Sequence, residues 1–594
     1  TARDLTRSMD FFEKQELARR RTKWLVVYFV LAILGIVAAL HFGFCAIFGQ
    51  AFDDWEILGV TAAGVIASVG IASLVKIIQL AKGGKAVAEM LGGIPIDPAT
   101  TDPSERRLRN VVEEMSLASG VPVPSVYLLD EESINAFAAG YGPTDAAIGV
   151  TRGCIENLTR DELQGVVAHE FSHILNGDMR LNIRLMGLLS GILFLAVLGG
   201  ILVRIAASSP RNRSNNEKNG ASLVALLLGA GAVLYLVGWI GVFFSKLIQA
   251  AVSRQREFLA DASAVQFTRN PHGIAGALAK IGNLTSRLQH PRAREASHMF
   301  FGNGLAESWF NLFATHPPIK ERIAQIAPDL QLSEAAPPPL PENANVNAAA
   351  SMLSNLPDGS LEASRETQSG RALVFALLAS GNDAALQTLD PSIQGEVLGL
   401  IDHCGPLSSA QKLALVDLAI PALRGMSRED YQSFRLTVKN LVEADGQVHL
   451  FEYTLQKLLV RHLDAFFEKP GRGRVQFKSI VPLLPDAGIL FSALANADDT
   501  TAEGHEAAFH AGLEAIGKSA SAFPMSRLET VNLVDFDKAL DRFAEASPAV
   551  KKEFLAACGA VVVHDGVVND TQFELLRAMA DTMDCPMPPS VKTE

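Results

Sequence analysis

The segment DELQGVVAHEFSHILNGD, residues 161–178, decides how the rest of the chain is interpreted. Its apolar residues recur at helical spacing, so an amphipathic helix is expected. His169 and His173 are four residues apart and project from one face of that helix, where both imidazoles can bind one zinc ion. Glu170 lies beside such an ion and can take a proton from water that the metal has acidified. A chance HExxH on a surface helix is the alternative that this segment alone leaves open.

The segment SRQREFLAD, residues 253–261, offers the best third ligand, because a catalytic zinc site needs three protein ligands and one open position. Glu257 and Asp261 are four residues apart and share one helical face. Glu257 can bind the metal, and Asp261 can accept a hydrogen bond from a ligand histidine. Taken alone, the pair is equally typical of a solvated acidic patch on a helix.

Four apolar runs precede residue 250, and each is long enough to cross a bilayer as a helix. They are residues 24–49, 57–80, 185–203 and 222–245. Buried helices of a soluble protein are the alternative, but uncharged runs of this length are rare in soluble domains. Two of the runs separate the histidines from Glu257. An even number of crossings therefore keeps the three expected ligands on one side of the membrane.

The distribution of Lys and Arg predicts the orientation in the membrane. Seven of these residues precede the first run, whereas the loop around Asp53 has none. Residues 1–23, 82–180 and 250–594 are therefore expected in the cytosol. The loop between the third and fourth runs also carries basic residues, which leaves open a hairpin that embeds in the membrane without crossing it.

The composition excludes some classes of function. The chain of 594 residues has a formal net charge of -12, which argues against a general nucleic-acid-binding protein. Its five cysteines are scattered and form no CxxC pair. Neither a disulfide framework nor a cysteine metal site is expected.

Four separated motifs, in the expected order, make the chain resemble the HtpX-type membrane zinc metalloproteases, which are relatives of the CAAX prenyl proteases. The motifs are INAFAAG at 134–140, VVAHEFSHILNGD at 166–178, SRQREFLAD at 253–261 and THPPIKERI at 315–323. The resemblance covers roughly residues 1–330, including the plan of four spans. It implies that the zinc ligands are His169, His173 and Glu257 and that Glu170 is the general base. It also implies a bacterial cytoplasmic (inner) membrane.

The resemblance implies roles for two further segments. The first, a substrate-binding edge strand to which an extended peptide adds by backbone hydrogen bonds, consists of Asn135, Ala136, Phe137 and Ala138. Taken alone, it is typical of a short buried strand. In the second, His316 and Arg322 would steady the oxyanion that forms when water attacks the peptide carbonyl. Taken alone, His-Pro-Pro is typical of a helix start.

The C-terminal part is expected to be a separate helical domain. Residues 331–360 are rich in Pro, Asn and Ala and are typical of a linker. Residues 361–594 show helical periodicity and are long enough to fold without the membrane part. We expect this domain to mediate self-association or substrate recruitment.

A weak internal repeat relates residues 441–459 to residues 561–579, and it faintly resembles the tellurite-resistance-type helical module. Each copy has an Asp-Gly turn between two helices. A calcium loop is not expected there, because its first ligand position would fall on Leu441 or Val561, which carry no oxygen donor.

The sequence therefore predicts a mainly α protein. Four transmembrane helices, the first two within 24–80, accompany a gluzincin-like zinc protease domain with a small sheet at 81–330. An all-α domain follows. The expected function is a zinc endopeptidase that cleaves protein or peptide substrates, misfolded membrane proteins among them, at the cytosolic face of the bilayer. A narrow-specificity processing protease and a non-enzymatic scaffold with a structural zinc stay open as alternatives. Glu170 favours an enzyme, because a structural site needs no base.

Overall fold

The structure is a computed structural model, and it describes most of the chain. The described residues are 27, 29–46, 49–208, 228–229, 231–235, 238–239, 256–283, 299–301, 317–327, 344–357, 359–444, 450–468, 475–497, 501–517 and 525–587. Within them the fold is mainly helical, with one small sheet. This confirms the predicted fold class.

The sheet has four strands in the order β1-β2-β4-β3. The strands are β1 (Ile94–Pro95), β2 (Ser125–Leu129), β3 (Ala136–Ala139) and β4 (Ala147–Thr151). β2 runs parallel to β4, and β1 and β3 run antiparallel to their neighbours. β3 is therefore an edge strand. It contains Ala136, Phe137 and Ala138 of the predicted substrate-binding segment, and Asn135 precedes it.

Two helices pack on the sheet and define the centre of the N-terminal half. α4 (Pro103–Ser119) begins at Asp102, whose carboxylate caps the first turn, and ends at Gly120, which has the positive φ of 73° that ends many helices. α6 (Arg160–Leu175) is the helix predicted over the HExxH segment. Thr159 and Glu162 close a capping box at its start, and most of its length is buried.

Three helices among the described residues are long and apolar enough to cross a membrane: α1 (Phe29–Ala46), the stretch Trp55–Lys82 that includes α2 (Trp55–Gln79), and α7 (Asp178–Ser208). They correspond to the first three predicted spans. Most of the fourth, 222–245, lies outside the described residues, although 231–235 and 238–239 are helical.

Glycines bring these helices into close contact. A Cβ added to Gly191 in α7 would lie 2.2 Å from Ser73 Oγ in α2, and one added to Gly238 would lie 2.4 Å from the Ala196 backbone in α7. Small residues that let helix backbones approach are typical of membrane helix pairs. The described part of the fourth run therefore packs against α7.

The remaining helices of the N-terminal half connect these parts. They are α3 (Gly84–Met90), α5 (Arg152–Asn157), α8 (256–268), α9 (Pro271–Asn283) and α10 (Ile319–Ile326). α8 carries the predicted ligand Glu257. α9 packs closely along α6, because a Cβ added to Gly165 would lie 2.6 Å from the backbone nitrogen of Ile274.

The predicted linker is partly structured. Within it lies α11 (Ala344–Ser354), which packs against α4 and buries Val346 and Ala349. Beyond α11, twelve helices among the described residues form the rest of the helical region. Its helices are α12 (Ser360–Arg365), α13 (Thr367–Ala379), α14 (Asp383–Thr388), α15 (Pro391–Cys404), α16 (Ser409–Leu423), α17 (Arg428–Glu443), α18 (Leu450–Phe467), α19 (Leu484–Ala495), α20 (Ala502–Ile516), α21 (Leu533–Ala544), α22 (Pro548–Val562) and α23 (Asp570–Thr582).

The helices up to α18 share a hydrophobic core with the N-terminal half, and separate folding of residues 361–594 stays a prediction. One hydrophobic core contains residues from Ile96 to Leu463 and also Ala578 of α23. Glu113 of α4 is buried and accepts hydrogen bonds from Arg109 (2.6 Å) and from Arg365 of α12 (3.3 Å from Nε). Arg424 donates to the Thr144 carbonyl at 3.0 Å. A second core of its own holds the residues from 480 to 587 together.

Each copy of the weak repeat is flanked by two helices, α17 and α18 in the first and α22 and α23 in the second. Gly566, in the turn of the second copy, has a φ of 82°, which glycine adopts without strain. Gly446 of the first copy lies outside the described residues.

Candidate metal centre

The three predicted ligands meet in the interior. His169 and His173 lie on one face of α6, and their Nε2 atoms are 3.2 Å apart. Glu257, supplied by α8, places Oε2 3.7 Å from Nε2 of His169 and Oε1 3.8 Å from Nε2 of His173. One ligand atom from each residue lies within 4.8 Å of the others. Among the described residues, this is the one group of three or more His, Cys, Asp and Glu with a geometry that could hold a metal ion.

A buried pair of charged side chains orients His169. Its Nδ1 lies 2.9 Å from Asp261 Oδ1, and Arg322 donates to both oxygens of Asp261, at 2.6 and 2.8 Å. Because the proton on His169 then sits at Nδ1, the lone pair of Nε2 points toward Glu257. Burial lowers the pKa of His169 to about 4, so the ring is neutral at pH 7. A neutral imidazole is the form that binds a metal.

A second pair of the same kind orients His173, and sequence reasoning missed it. Nδ1 of His173 lies 3.1 Å from Asp178 Oδ2, and Arg256 lies 3.1 Å from the other oxygen of Asp178. Burial lowers the pKa of His173, but the bond to Asp178 outweighs it and raises the value to about 9. Asp178 ends the quoted HExxH segment and Arg256 precedes Glu257. The feature of the sequence that could have identified them is that both lie within a few residues of a ligand.

Glu170 is buried beside the ligands, where its carboxyl has no well-aligned hydrogen bond among the described residues. It is 1% exposed, and neither carboxylate oxygen has hydrogen-bond geometry with any group in the described part of the chain. Burial raises its pKa to about 8, while nearby His173 lowers it. The nearby backbone N–H of Ala138 in β3 also lowers the pKa of Glu170. The carboxyl thus lies between the two histidines and the edge strand.

Arg322 is buried against the ligand-bearing helix α8, and its predicted oxyanion role stays a prediction. It is 1% exposed, and beyond its two bonds to Asp261 it donates to the Phe301 carbonyl at 3.1 Å and lies 3.4 Å from Glu257. The structure places it behind the ligands, as a support for Asp261 and Glu257. His316, its predicted companion, lies outside the described residues.

Phe301 connects the edge strand to the ligands. Its backbone N–H donates to the Ala136 carbonyl at 2.8 Å, and its ring packs edge-on against His169, with 4.8 Å between centroids. One outward-facing backbone group of β3 is therefore already occupied. Outward-facing groups alternate along a strand, so Ala138 offers the next one, beside Glu170.

The residues present fit a zinc ion. Two imidazole Nε2 atoms and one carboxylate converge, each histidine is held by a carboxylate at its other nitrogen, and a carboxyl without a well-aligned hydrogen bond among the described residues stands next to them. Zinc favours this set of nitrogen and oxygen donors, and three protein ligands leave a position open.

Asp178→Asn and Asp261→Asn are each expected to weaken zinc binding by about 10–100-fold, because each removes the group that orients one histidine. Competition with a fluorescent zinc chelator measures this affinity. Asp130→Asn is the matched control, since Asp130 is exposed and pairs with exposed Arg152 far from the ligands. Equal affinities in all four proteins would show that the two carboxylates do not support the histidines.

Comparison with known proteins agrees with this geometry. The profile of Peptidase family M48 matches residues 103–328, a range that includes all three candidate ligands and Glu170. Proteins named Protease HtpX homolog are similar along nearly their whole length. The one from Caldanaerobacter subterraneus subsp. tengcongensis is 36% identical over 318 residues, which is 53% of this chain and 96% of the relative.

Two other relatives with the same name give similar values. The protein from Ligilactobacillus salivarius is 34% identical over 52% of this chain and 98% of the relative. The protein from Streptococcus thermophilus is 33% identical over the same shares. No solved structure gave a significant match. The family profile ends before α11, so the helices from α11 onward lie beyond it.

Proposed function

The chain belongs to the HtpX homologues of peptidase family M48, and from this premise we propose that it is a membrane zinc endopeptidase whose metal is held by His169, His173 and Glu257. A zinc ion held there would supply Lewis-acid activation of water and of the peptide carbonyl. The chain's own residues supply proton transfer, substrate alignment and the orientation of the ligands.

Glu170 is the observation that carries the proposal. A structural zinc site has four protein ligands and no need of a base, whereas a catalytic site has three ligands and an open position. Here the carboxyl of Glu170 adjoins the three ligands, and neither of its oxygens has a well-aligned hydrogen bond among the described residues. Burying a carboxyl without good hydrogen bonds lowers the stability of the fold, and a scaffold with a structural metal would gain nothing from it.

Glu170 acts as general base and then as general acid. Its carboxylate takes a proton from the attacking water and passes it to the nitrogen of the leaving amine. The carboxyl of Glu170 is 1% exposed, so little bulk water solvates it. Asp261 and Asp178, each fixed by an arginine, hold the two histidines while the charge at the centre changes.

The edge strand β3 aligns the substrate. An extended peptide adds to a sheet edge through backbone hydrogen bonds, so its residue opposite Ala138 comes to lie beside Glu170. The bond from Phe301 to Ala136 limits how far the peptide can pair in that direction. Substrates must therefore be unfolded where they bind, because a folded helix has no free backbone groups.

The position of the site, close to a helix long enough to span a membrane, supports the proposal that substrates come from the bilayer. α6 ends at Leu175 and α7, which is long enough to span a membrane, begins at Asp178. The ligand His173 is thus within two turns of the first residue of α7. We propose that the substrates are misfolded membrane proteins and that cleavage takes place at the cytosolic face of the bacterial inner membrane. A processing protease with few targets is the alternative, and mapping the cleavage sites in several unrelated substrates separates the two.

Purified full-length chain in detergent is expected to cleave an unfolded membrane protein. A zinc chelator is expected to stop the cleavage, and added zinc to restore it. Cleavage that continues after the chelator has removed all metal would contradict the proposal.

The proposed topology is tested by labelling single introduced cysteines in intact cells. All five native cysteines are buried, so they give a low background. Asp53→Cys, in the loop between α1 and α2, is expected to react with an impermeant reagent added from outside. Asp130→Cys, an exposed site on the side of the metal centre, is expected to react only after the cells are opened. Labelling of Asp130→Cys in intact cells would reverse the orientation.

A further inference from the structure

A cleft lined by arginines lies at the end of α6 remote from α7. Its volume is about 370 Å³. The lining residues are Thr101, Pro103, Arg106, Arg107, Asn110 and Arg160. Three guanidinium groups, one amide and one hydroxyl thus face a shared space, and no carboxylate is part of the lining. This is unexpected in a chain with a net charge of -12.

The carboxylates close to the cleft are engaged elsewhere. Asp102 accepts from the backbone N–H groups of Ser104 and Glu105, and so caps α4. Glu105 accepts from Thr100 at 2.6 Å. Glu114 pairs with Arg160 and also accepts from Gln164 at 3.2 Å. Of the three arginines, only Arg160 is neutralised by a carboxylate of the described residues.

Arg107 is held in place and still has an unused donor. One of its terminal nitrogens donates to the Ile155 carbonyl of α5. Its Nε is buried and has no hydrogen-bonding partner within the described ranges. Arg107 also lines the cleft without a carboxylate partner among the described residues, so a bound anion would supply its missing counter-charge. Arg106, one residue before, is exposed and has no ion pair with a described residue.

We propose that this cleft binds a small anion that carries a phosphate group. Guanidinium groups bind phosphate through paired hydrogen bonds, and two of them without a counter-ion make a site for a doubly charged group. The volume falls within the range of small-molecule sites and exceeds what a lone phosphate needs. The N–H groups at the start of α4 take no part, because Asp102 occupies them.

The cleft lies where a ligand can affect both halves of the chain. Asn110 also accepts from Arg365 of α12, at 2.8 Å, and Arg160 is the first residue of the helix that carries His169 and His173. α6 has 16 residues and is therefore about 24 Å long, so the cleft is distant from the start of α7. A soluble phosphate compound fits this position better than a lipid headgroup, which offers the same chemistry.

The test is a binding titration of the full-length chain in detergent. Sodium pyrophosphate and short-chain phosphatidylglycerol are each added at constant ionic strength, and binding is measured by calorimetry. Arg106→Gln and Arg107→Gln are each expected to weaken the binding of pyrophosphate by about tenfold or more, since each removes a charged donor pair. Arg428→Gln, at an exposed arginine of α17, is the matched control and is expected to bind like the unmodified chain.

The outcomes are distinct. Binding of pyrophosphate that depends on Arg106 identifies a site for soluble phosphate compounds, and binding of phosphatidylglycerol alone assigns it to a lipid headgroup. No binding of either compound, or equal binding in the two cleft variants and the control, would overturn the proposal. Arg106 is exposed, so Arg106→Gln is expected to fold, and its zinc content reports this independently of the anion.

Discussion

Glu170→Gln is expected to lower kcat for peptide hydrolysis by about 10²–10⁴-fold and to leave the zinc content unchanged. Glutamine has the shape of glutamate but cannot accept the proton of the attacking water. The ligands His169, His173 and Glu257 are untouched, and an amide is easier to bury than a carboxylate. Turnover of a quenched fluorescent peptide and metal analysis of the same preparation give both quantities.

Glu156→Gln is the matched control for this variant. Glu156 is an exposed residue of α5, and the same chemical change there is expected to leave kcat unaltered. Hydrolysis at the unmodified rate in Glu170→Gln would remove the general base from the mechanism. Loss of zinc in Glu170→Gln would instead show that the residue supports the metal.

Ending the chain after residue 343 is expected to yield no stably folded protein, whereas ending it after residue 474 is expected to preserve the metal centre. The first truncation removes α11 and the helices that share a core with α4. Their loss would expose a large apolar surface, which leads to aggregation. The second removes α19 to α23, whose apolar residues mostly form a second core, although α23 also packs against α16 and α18. Gel filtration and zinc content distinguish the two results.

The relatives lack the added helices, so the prediction that this chain requires them can readily be contradicted. About half of this chain matches nearly their whole length, so a protease unit of that size exists without the added helices. A soluble, zinc-binding protein ending at residue 343 would show that the shared core is dispensable here too. It would also support the expectation of two independent domains.

A single substitution tests the contact between α4 and α12 without removing any helix. Arg365→Ala removes one of the two charged donors of buried Glu113 and is expected to lower the free energy of unfolding by about 1–3 kcal/mol. Arg435→Ala is the control, because Arg435 pairs with Asp464 at the surface, where such pairs contribute about 0–1 kcal/mol. Urea unfolding followed by circular dichroism measures both.

The local part of the metal centre could be predicted from the sequence. The spacing of His169 and His173 places them on one face of any helix, and α6 is that helix. The placement of Glu257 followed from a second helical spacing together with the number of spans in between. Both inferences depend on which residues share one face of a helix, and the spacing of residues in the sequence determines this.

The supporting residues could not be predicted in the same way. Asp178 and Arg256 come from α7 and α8, and nothing in either segment shows that the two side chains meet behind His173. Arg322 was assigned to the oxyanion because the resemblance implies that role for the motif at 315–323. Its burial under Asp261 and Phe301 depends on the packing of α8 and α10, which periodicity does not reveal.

The packing partners of the C-terminal helices could not be predicted for a related reason. Residues 331–360 have the composition of a linker, and the alanines and asparagines of α11 carry little amphipathic signal. Helical periodicity in 361–594 shows that each helix has a buried face, but not which partner covers it. The buried pair of Glu113 and Arg365, 252 residues apart, is visible only in the folded chain.

The most direct test of the metal centre is the zinc content of the purified chain and of Glu257→Ala, measured by atomic absorption after dialysis. With His169, His173 and Glu257 as ligands, we expect about one zinc per unmodified chain and a strong loss in Glu257→Ala. Glu529→Ala, at an exposed glutamate of the C-terminal part, is expected to keep its zinc. An unmodified chain without zinc, or a Glu257→Ala protein that retains one zinc per chain, would contradict the assignment.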